Sequence, residues 1–443
     1  MKNTLFCGLL CVAGMATIYS EDLIESVIIE RNKVTVEVNE QFKKKYLMGN
    51  FFAEYDEDID LSKLDYSVQI MPFIMNAISI VWISGKTYYV DSMDKELYSS
   101  LKTVKKVLKQ LYKKTSWKGK LIPRKLVSNS FVPVKGKKEK VALLFSGGVD
   151  STASSLYHRE KDQLLITAWG HWDLPLHDKV LWDIRVKHFK KFAAAYGHTN
   201  TFIRSNYSSF LNRPVLDTLV PEIVSWRIFA VEGIGWAGLV APILLLKGYP
   251  VLLHGSTISW DFPFPAAANP FIDNNLKFAG VKLEHDLFDY NRLEKCELLA
   301  DMVKKGHLEK PFIRVCEEKV VYNCCHCQKC VRTILELIVL QEDPRTYGFS
   351  IDLDKAIVET RKFIEDSPMV STTVWHLGHI KNYLLKREKE GKEIHPDLSW
   401  ILSLDLSQKD PYDVRTLGKI NWLDFIKFLP SIKVPQRFQS QVK

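Results

Sequence analysis

From about residue 140 onward, short apolar runs alternate with segments of helical period. Residues 141–145, 164–168, 201–204 and 251–254 are apolar or nearly so, without the in-out alternation of a sheet that has one wet face. Helical patterns fit between them at 150–158, 178–196 and, less regularly, within 220–247. Strands buried on both faces and separated by helices predict a parallel sheet. Right-handed crossovers then give an α/β, doubly wound parallel sheet whose ligands sit at the carboxyl ends of the strands.

The first 135 residues follow a different grammar. Val27, Ile28 and Ile29, then Val34, Val36 and Val38, predict a hairpin over 26–38. Residues 78–90 read as a second pair of strands turning at Ser84-Gly85. Leu101, Val104, Val107, Leu108 and Leu111 make one face of an amphipathic helix over 97–112. A basic stretch at 127–140, containing Pro133 and Gly136, reads as a linker. Beyond residue 345 the pattern is charge-rich and helical, with helices expected at 353–365, 373–390 and 422–428. The expected organisation is an α+β accessory domain at 1–135, the α/β domain at 136–345 and a helical extension at 346–443.

Composition narrows the class. A chain of 443 residues with 46% hydrophobic and 26% charged side chains is an ordinary globular protein. The net charge of +9 suits an anionic partner, but the lysines are dispersed and no nucleic-acid-binding signature accompanies them. An apolar run over residues 5–16 resembles the core of a secretory signal; its two cysteines, two glycines and poor cleavage pattern favour a buried first strand or helix. No other run is long enough to span a bilayer, so a cytoplasmic protein without a membrane partner is expected.

The chemistry concentrates at two places. At the first, a buried strand runs into Ser146-Gly147-Gly148-Val149-Asp150-Ser151-Thr152. The glycines let the backbone turn against an anion, and the helix that opens behind them points unpaired N–H groups at it. The hydroxyls of Ser146, Ser151 and Thr152 suit phosphate oxygens, and Asp150 suits Mg²⁺. The lysine of a Walker loop is missing, as is the dinucleotide-binding G-x-G-x-x-G spacing. At the second, Cys324, Cys327 and Cys330 have C-x-x-C-x-x-C spacing with Cys316 upstream, which predicts a closed, structural Zn²⁺ site, with an iron–sulfur cluster or a buried cysteine patch as the alternatives. Cys325 and His326 are spare donors, and Cys316 is the least certain of the four ligands.

His254-Gly255-Ser256-Thr257 ends the fourth strand, where nucleotide or substrate would be met. Arg292 and Lys295, one turn apart at a helix start, suit an α-phosphate or a substrate carboxylate, or simply a solvated helix face. Arg332 has the same two readings. The aromatic loop 261–265, then Asn269-Pro270, suits stacking on a flat base, and His171 and Asp173 follow the second strand.

The segment SGGVDS resembles the signature of the PP-loop ATP pyrophosphatase family, whose members adenylate a substrate and release pyrophosphate. A later cysteine and CxxCxxC make residues 138–345 resemble the 7-cyano-7-deazaguanine synthases, and the long chain is similar to the synthase-like proteins of anti-phage defence operons. The resemblance implies a PP-loop fold and an ATP-dependent ligase using ATP, Mg²⁺ and Zn²⁺. Its catalytic residues would be Ser146, Asp150, Ser151, Arg292 and Lys295, with nucleotide held along 146–152 and at His254, Gly255 and Ser256. The acceptor would be a deazapurine-like molecule or a macromolecule, and proteins of the same operon are possible partners. Where those synthases have glycine in CGxC, this chain has Cys325. Alternatives are a tRNA-thiolating or amidating enzyme, and a non-catalytic zinc- and ATP-binding subunit.

Overall fold

A computed structural model describes residues 21–131, 138–222, 225–262, 264–305, 311–318 and 320–407, with 425, 429 and 436–438. The expected first element at 5–16, most of the 422–428 helix, and Pro133 and Gly136 lie outside these residues. Twelve strands are described: β1 (Glu21–Asp22), β2 (Ile24–Glu30), β3 (Lys33–Val38), β4 (Phe51–Tyr55), β5 (Thr87–Asp94), β6 (Lys120–Val127), β7 (Lys140–Leu144), β8 (Asp162–Trp169), β9 (Thr199–Ser205), β10 (Val251–Gly255), β11 (Lys277–Phe278) and β12 (Val281–Asp286). Nine form one sheet, in the order β11-β12-β10-β7-β8-β9-β4-β3-β2; β1, β5 and β6 form a small parallel one.

The expectation of an α/β protein with a mostly parallel sheet is met. Strands β12, β10, β7, β8 and β9 pair in parallel, and the four expected apolar runs are β7, β8, β9 and β10. The parallel part of the sheet starts at β7, builds outward through β8 to β9, then returns to lay β10 on the other side of β7. The order therefore reverses between β7 and β10, which is where open α/β sheets leave a crevice for ligands. The predicted hairpin is β2–β3, and it joins the same sheet through β4, which pairs antiparallel with β9.

Alternate residues of the strands feed two separate cores. Val141, Leu143, Leu165 and Leu253 pack under the helices Val149–Tyr157, Lys179–Tyr196, Arg292–Lys304 and Gln328–Val339. Ala142, Leu164, Ile166 and Leu252 face the opposite way, toward the helix Ile234–Lys247 and the N-terminal elements. A strand with a core on each side has no reason to alternate, which explains the apolar runs.

One element is corrected. The expected strand pair over 78–90 is a helix, Met71–Ile83, followed by β5. Its β-branched residues Ile78, Ile80 and Val81 suggested a strand. The helix is buried on nearly every side, largely against Ile234–Lys247, so no polar face marked a helical period. Pro72 in its first turn was the legible start signal. The amphipathic helix is Lys95–Leu111, and the C-terminal helices Leu353–Asp366 and Ser371–Lys389 lie where expected. Among the described residues no helix is long and apolar enough to cross a membrane.

Candidate active site and four-cysteine cluster

The turn after β7 is shaped by Gly147, whose φ of 73° belongs to the left-handed region that glycine enters without strain. Its carbonyl accepts a 2.8 Å bond from the N–H of Arg314, which ties the turn to a segment running into the cysteines. The helix Val149–Tyr157 then starts with Gly148 as its cap residue and no side-chain cap, so its first N–H groups face the space ahead of the loop. Ser146 and Ser151 stand 3.2 Å apart across that turn.

Asp150 is the loop's only carboxylate, and it is surrounded by buried cations. Arg292 Nη1 donates to Asp150 Oδ2 across 2.8 Å, and Lys295 Nζ lies 3.5 Å from Oδ1. Both basic residues sit in the first turn of Arg292–Lys304, whose start is fixed by a capping box between Asn291 and Glu294. Their side chains are 4% and 0% exposed, so the solvated-face reading is wrong. Arg332 and Glu336, from the helix Gln328–Val339, complete the cluster: Glu336 Oε2 is 3.7 Å from Arg292 Nε, and Arg332 Nη1 donates to Thr373 Oγ1 at 3.2 Å.

Burial opposes charge on each of these groups, and their neighbours decide the outcome. For Asp150 the desolvation cost is outweighed by Arg292, Lys295 and Arg332, so its carboxyl is held below its ordinary range. Desolvation pulls Lys295 down, with Arg292 adding to the effect, and brings Arg332 to about 10. It pushes Glu336 up. Three basic groups, Arg292, Lys295 and Arg332, meet two acidic ones, Asp150 and Glu336. The sum favours an added anion.

A cavity of about 700 Å³ opens here, within the range of small-molecule sites. Of the expected residues, Ser146, Gly148, Asp150, Ser151, His254, Gly255, Arg292 and Arg332 line it. Gly147, Val149, Thr152, Ser256 and Lys295 do not; they form the layer behind, where Lys295 donates to the carbonyl of Ser256. His171 and Asp173 also line it and are bonded to each other. Despite desolvation, His171, Arg314 and Arg185 keep the Asp173 carboxyl well below its usual range.

Sequence reasoning missed Arg185, Arg314, Trp172, Tyr207 and Trp236, which line the far part of the cavity. Arg185 is 4% exposed, with Nε and Nη2 unpartnered, and burial followed by the Arg314 charge brings it down to about 9. It sits mid-helix in a segment whose charged residues otherwise read as a wet face. Its flanks, Trp182 and Phe189, were the signal.

The cysteines converge as expected. The sulfurs of Cys316, Cys324, Cys327 and Cys330 all lie within 4.8 Å of one another, and the pairs Cys324–Cys330 and Cys316–Cys327 are 3.9 Å apart. The edge of a tetrahedral zinc–thiolate site is about 3.8 Å, given Zn–S bonds of about 2.3 Å. Backbone N–H groups of Glu318 and Cys324 point at Cys316 Sγ, and that of Cys327 at Cys324 Sγ, an arrangement suited to thiolates. The group could therefore hold a zinc ion. Cys325 stands outside it, with its Sγ toward the Asn323 carbonyl, and His326 Nδ1 is bonded to the Cys324 carbonyl. The cluster joins two pieces of the cavity wall: the strip carrying Arg314, and the helix carrying Arg332, which is capped at Cys327.

No protein family, curated protein or solved structure matches the chain.

Proposed function

We propose that this chain is an ATP-dependent ligase of the PP-loop type, which adenylates a carboxylate or amide oxygen, releases pyrophosphate and passes the activated group to a nitrogen nucleophile. The observation that carries the reading is the juxtaposition of a glycine turn, an uncapped helix N-terminus and the excess of buried cations around Asp150, all at the reversal of strand order. The N-terminal amides and the hydroxyls of Ser146 and Ser151 would bind the phosphates, and Arg292 would stabilise the departing pyrophosphate. Asp150 fits as one ligand of a Mg²⁺ whose remaining positions are phosphate oxygens and water, since Mg²⁺ is usually held by one or two carboxylates. The four cysteines would hold Zn²⁺ in a structural role.

The acceptor reading that the cavity favours is a flat heterocycle, of the deazapurine class that the motifs suggest. Trp172, Trp236, Tyr207 and Phe264 supply aromatic surface, and the cavity is of small-molecule size. A tRNA acceptor rests on net charge alone. Incubation with ATP, Mg²⁺, ammonia and a 7-deazaguanine carboxylic acid should give AMP and pyrophosphate in equal amounts. ADP and phosphate would sink the proposal, and stoichiometric retention of intact ATP would favour a binding subunit instead.

A further inference from the structure

The end of β10 carries a second polar assembly that phosphate binding does not use. His254 Nδ1 is 2.8 Å from Asp273 Oδ2, and the same oxygen is 2.8 Å from Nδ1 of His285 on β12. The other nitrogen of His285 is 2.8 Å from Ser256 Oγ, and that hydroxyl donates to the carbonyl of Ile258 at 2.6 Å. Asp273 is 0% exposed and His285 is buried, while His254, against the edge of Trp236, keeps 10% of its side chain open and lines the cavity.

The protons of this chain can be counted. A serine hydroxyl has one proton, and at 2.6 Å from a carbonyl oxygen it must point there, because two bare oxygens would repel. Ser256 Oγ therefore accepts from Nε2–H of His285. A single proton then lies between His285 Nδ1 and Asp273 Oδ2, whichever of the two owns it. In either case Oδ2 still offers a lone pair toward His254, so His254 Nδ1 must be the donor. A neutral His254 with its proton on Nδ1 has a bare Nε2, and that edge of the ring is the one left for the cavity.

We infer that His254 Nε2 is a general base of this site, taking the proton of the nitrogen nucleophile as it attacks the activated acyl carbon. This rests on the adenylate-forming reading. In the step, a C–N bond forms and the acyl C–O bond to AMP breaks. AMP leaves with the electron pair of that bond, and the proton moves from nitrogen to Nε2 and afterwards to solvent. Asp273 is the positioning residue, and it stabilises the imidazolium that forms. The charged and titratable groups around His254 are Asp273 and His285 in contact with it, Lys295 beneath Ser256, Asp150 across Gly255, and Arg227 and Glu232 along the same cavity.

The same three donors could instead bind a cation through both Nδ1 atoms and Oδ2, since they lie within 4.8 Å of one another. Two measurements on the full chain decide. In long-range ¹H–¹⁵N spectra of ¹⁵N-histidine-labelled protein, the imidazole that disappears in His254→Asn should show a protonated Nδ1 and a bare Nε2. A protonated Nε2, or a metal ion lost from the protein by His254→Asn, would overturn the inference. With the deazaguanine acid and ammonia, the ratio of acyl transfer to pyrophosphate release should fall at least about 100-fold in His254→Asn, the lower end of general-base effects. An unchanged ratio removes the base. Absence of pyrophosphate release by the wild type instead removes the adenylation reading and the base with it, an outcome distinct from release that continues with an unchanged ratio.

Discussion

Arg292 donates to Asp150 across 2.8 Å, and both belong to the first turns of helices that approach the same crevice from different strands. Arg292 is thereby held above its already high range, although burial alone would lower it. Breaking a buried ion pair by removing one partner leaves a charge without compensation, which costs about 3–5 kcal/mol. Arg292→Met should lower the unfolding free energy by about that amount, read from urea titration. Replacing both partners, as Asp150→Asn with Arg292→Met, should cost less than the two single changes added together. Pyrophosphate release should be lost in all three.

Gly255 is fixed by space. A Cβ there would stand 3.0 Å from the backbone oxygen of Asp150, closer than the main chain tolerates without moving. Gly255→Ala should therefore push β10 and the helix Val149–Tyr157 apart. ATP binding, followed by calorimetry, should weaken by at least about tenfold, or 1.4 kcal/mol. Gly197→Ala is a control for the general cost of losing a left-handed glycine, since open space surrounds it. It should lose stability but retain nucleotide affinity.

The strands of the parallel core were legible because a strand with a core on each side is apolar without interruption, and Leu164 or Leu252 announces itself. The turn at 146–152 was legible as a candidate because two glycines, a carboxylate and three hydroxyls fall within seven residues. Arg292 and Lys295 were found, yet their burial was not, because helical spacing looks the same whether a face meets water or a buried carboxylate. Asp273 and His285 were invisible for a further reason. Their partner, His254, is 19 residues from one and 31 from the other, and only the strand order brings the three together. Helix Met71–Ile83 failed the periodicity test because it has no wet side.

Cys325 has φ of 67°, the left-handed backbone conformation that side chains with a Cβ occupy at a cost. The position that resembles the glycine of CGxC thus retains a glycine-like backbone under a cysteine. Cys325→Gly should raise stability by about 1 kcal/mol, seen as a rise in Tm, with the bound metal unchanged. Cys316→Ser should do the opposite. It removes a sulfur of the cluster, so the zinc content measured by mass spectrometry should fall, and hydrogen exchange should quicken in Arg314 and its neighbours, which brace Gly147.

His198 gives the chain a pH dependence that can be signed in advance. It is buried beside β9, with both ring nitrogens unpartnered. Desolvation, followed by the charge of Lys138, brings its pKa from 6.5 down to about 4. Between those values the unfolded chain binds a proton that the folded chain refuses, so ν_U exceeds ν_N and stability rises with pH. The contribution is intact above pH 6.5 and is lost as pH falls toward about 4. The slope is at most about 1.4 kcal/mol per pH unit for one proton. His376 is also held below its ordinary value by burial and acts in the same direction. His198→Phe should flatten the slope of unfolding free energy between pH 4 and 6.5 by up to that amount, while His376 keeps its own share. A slope equal to that of the wild type would show that His198 is charged in the folded protein.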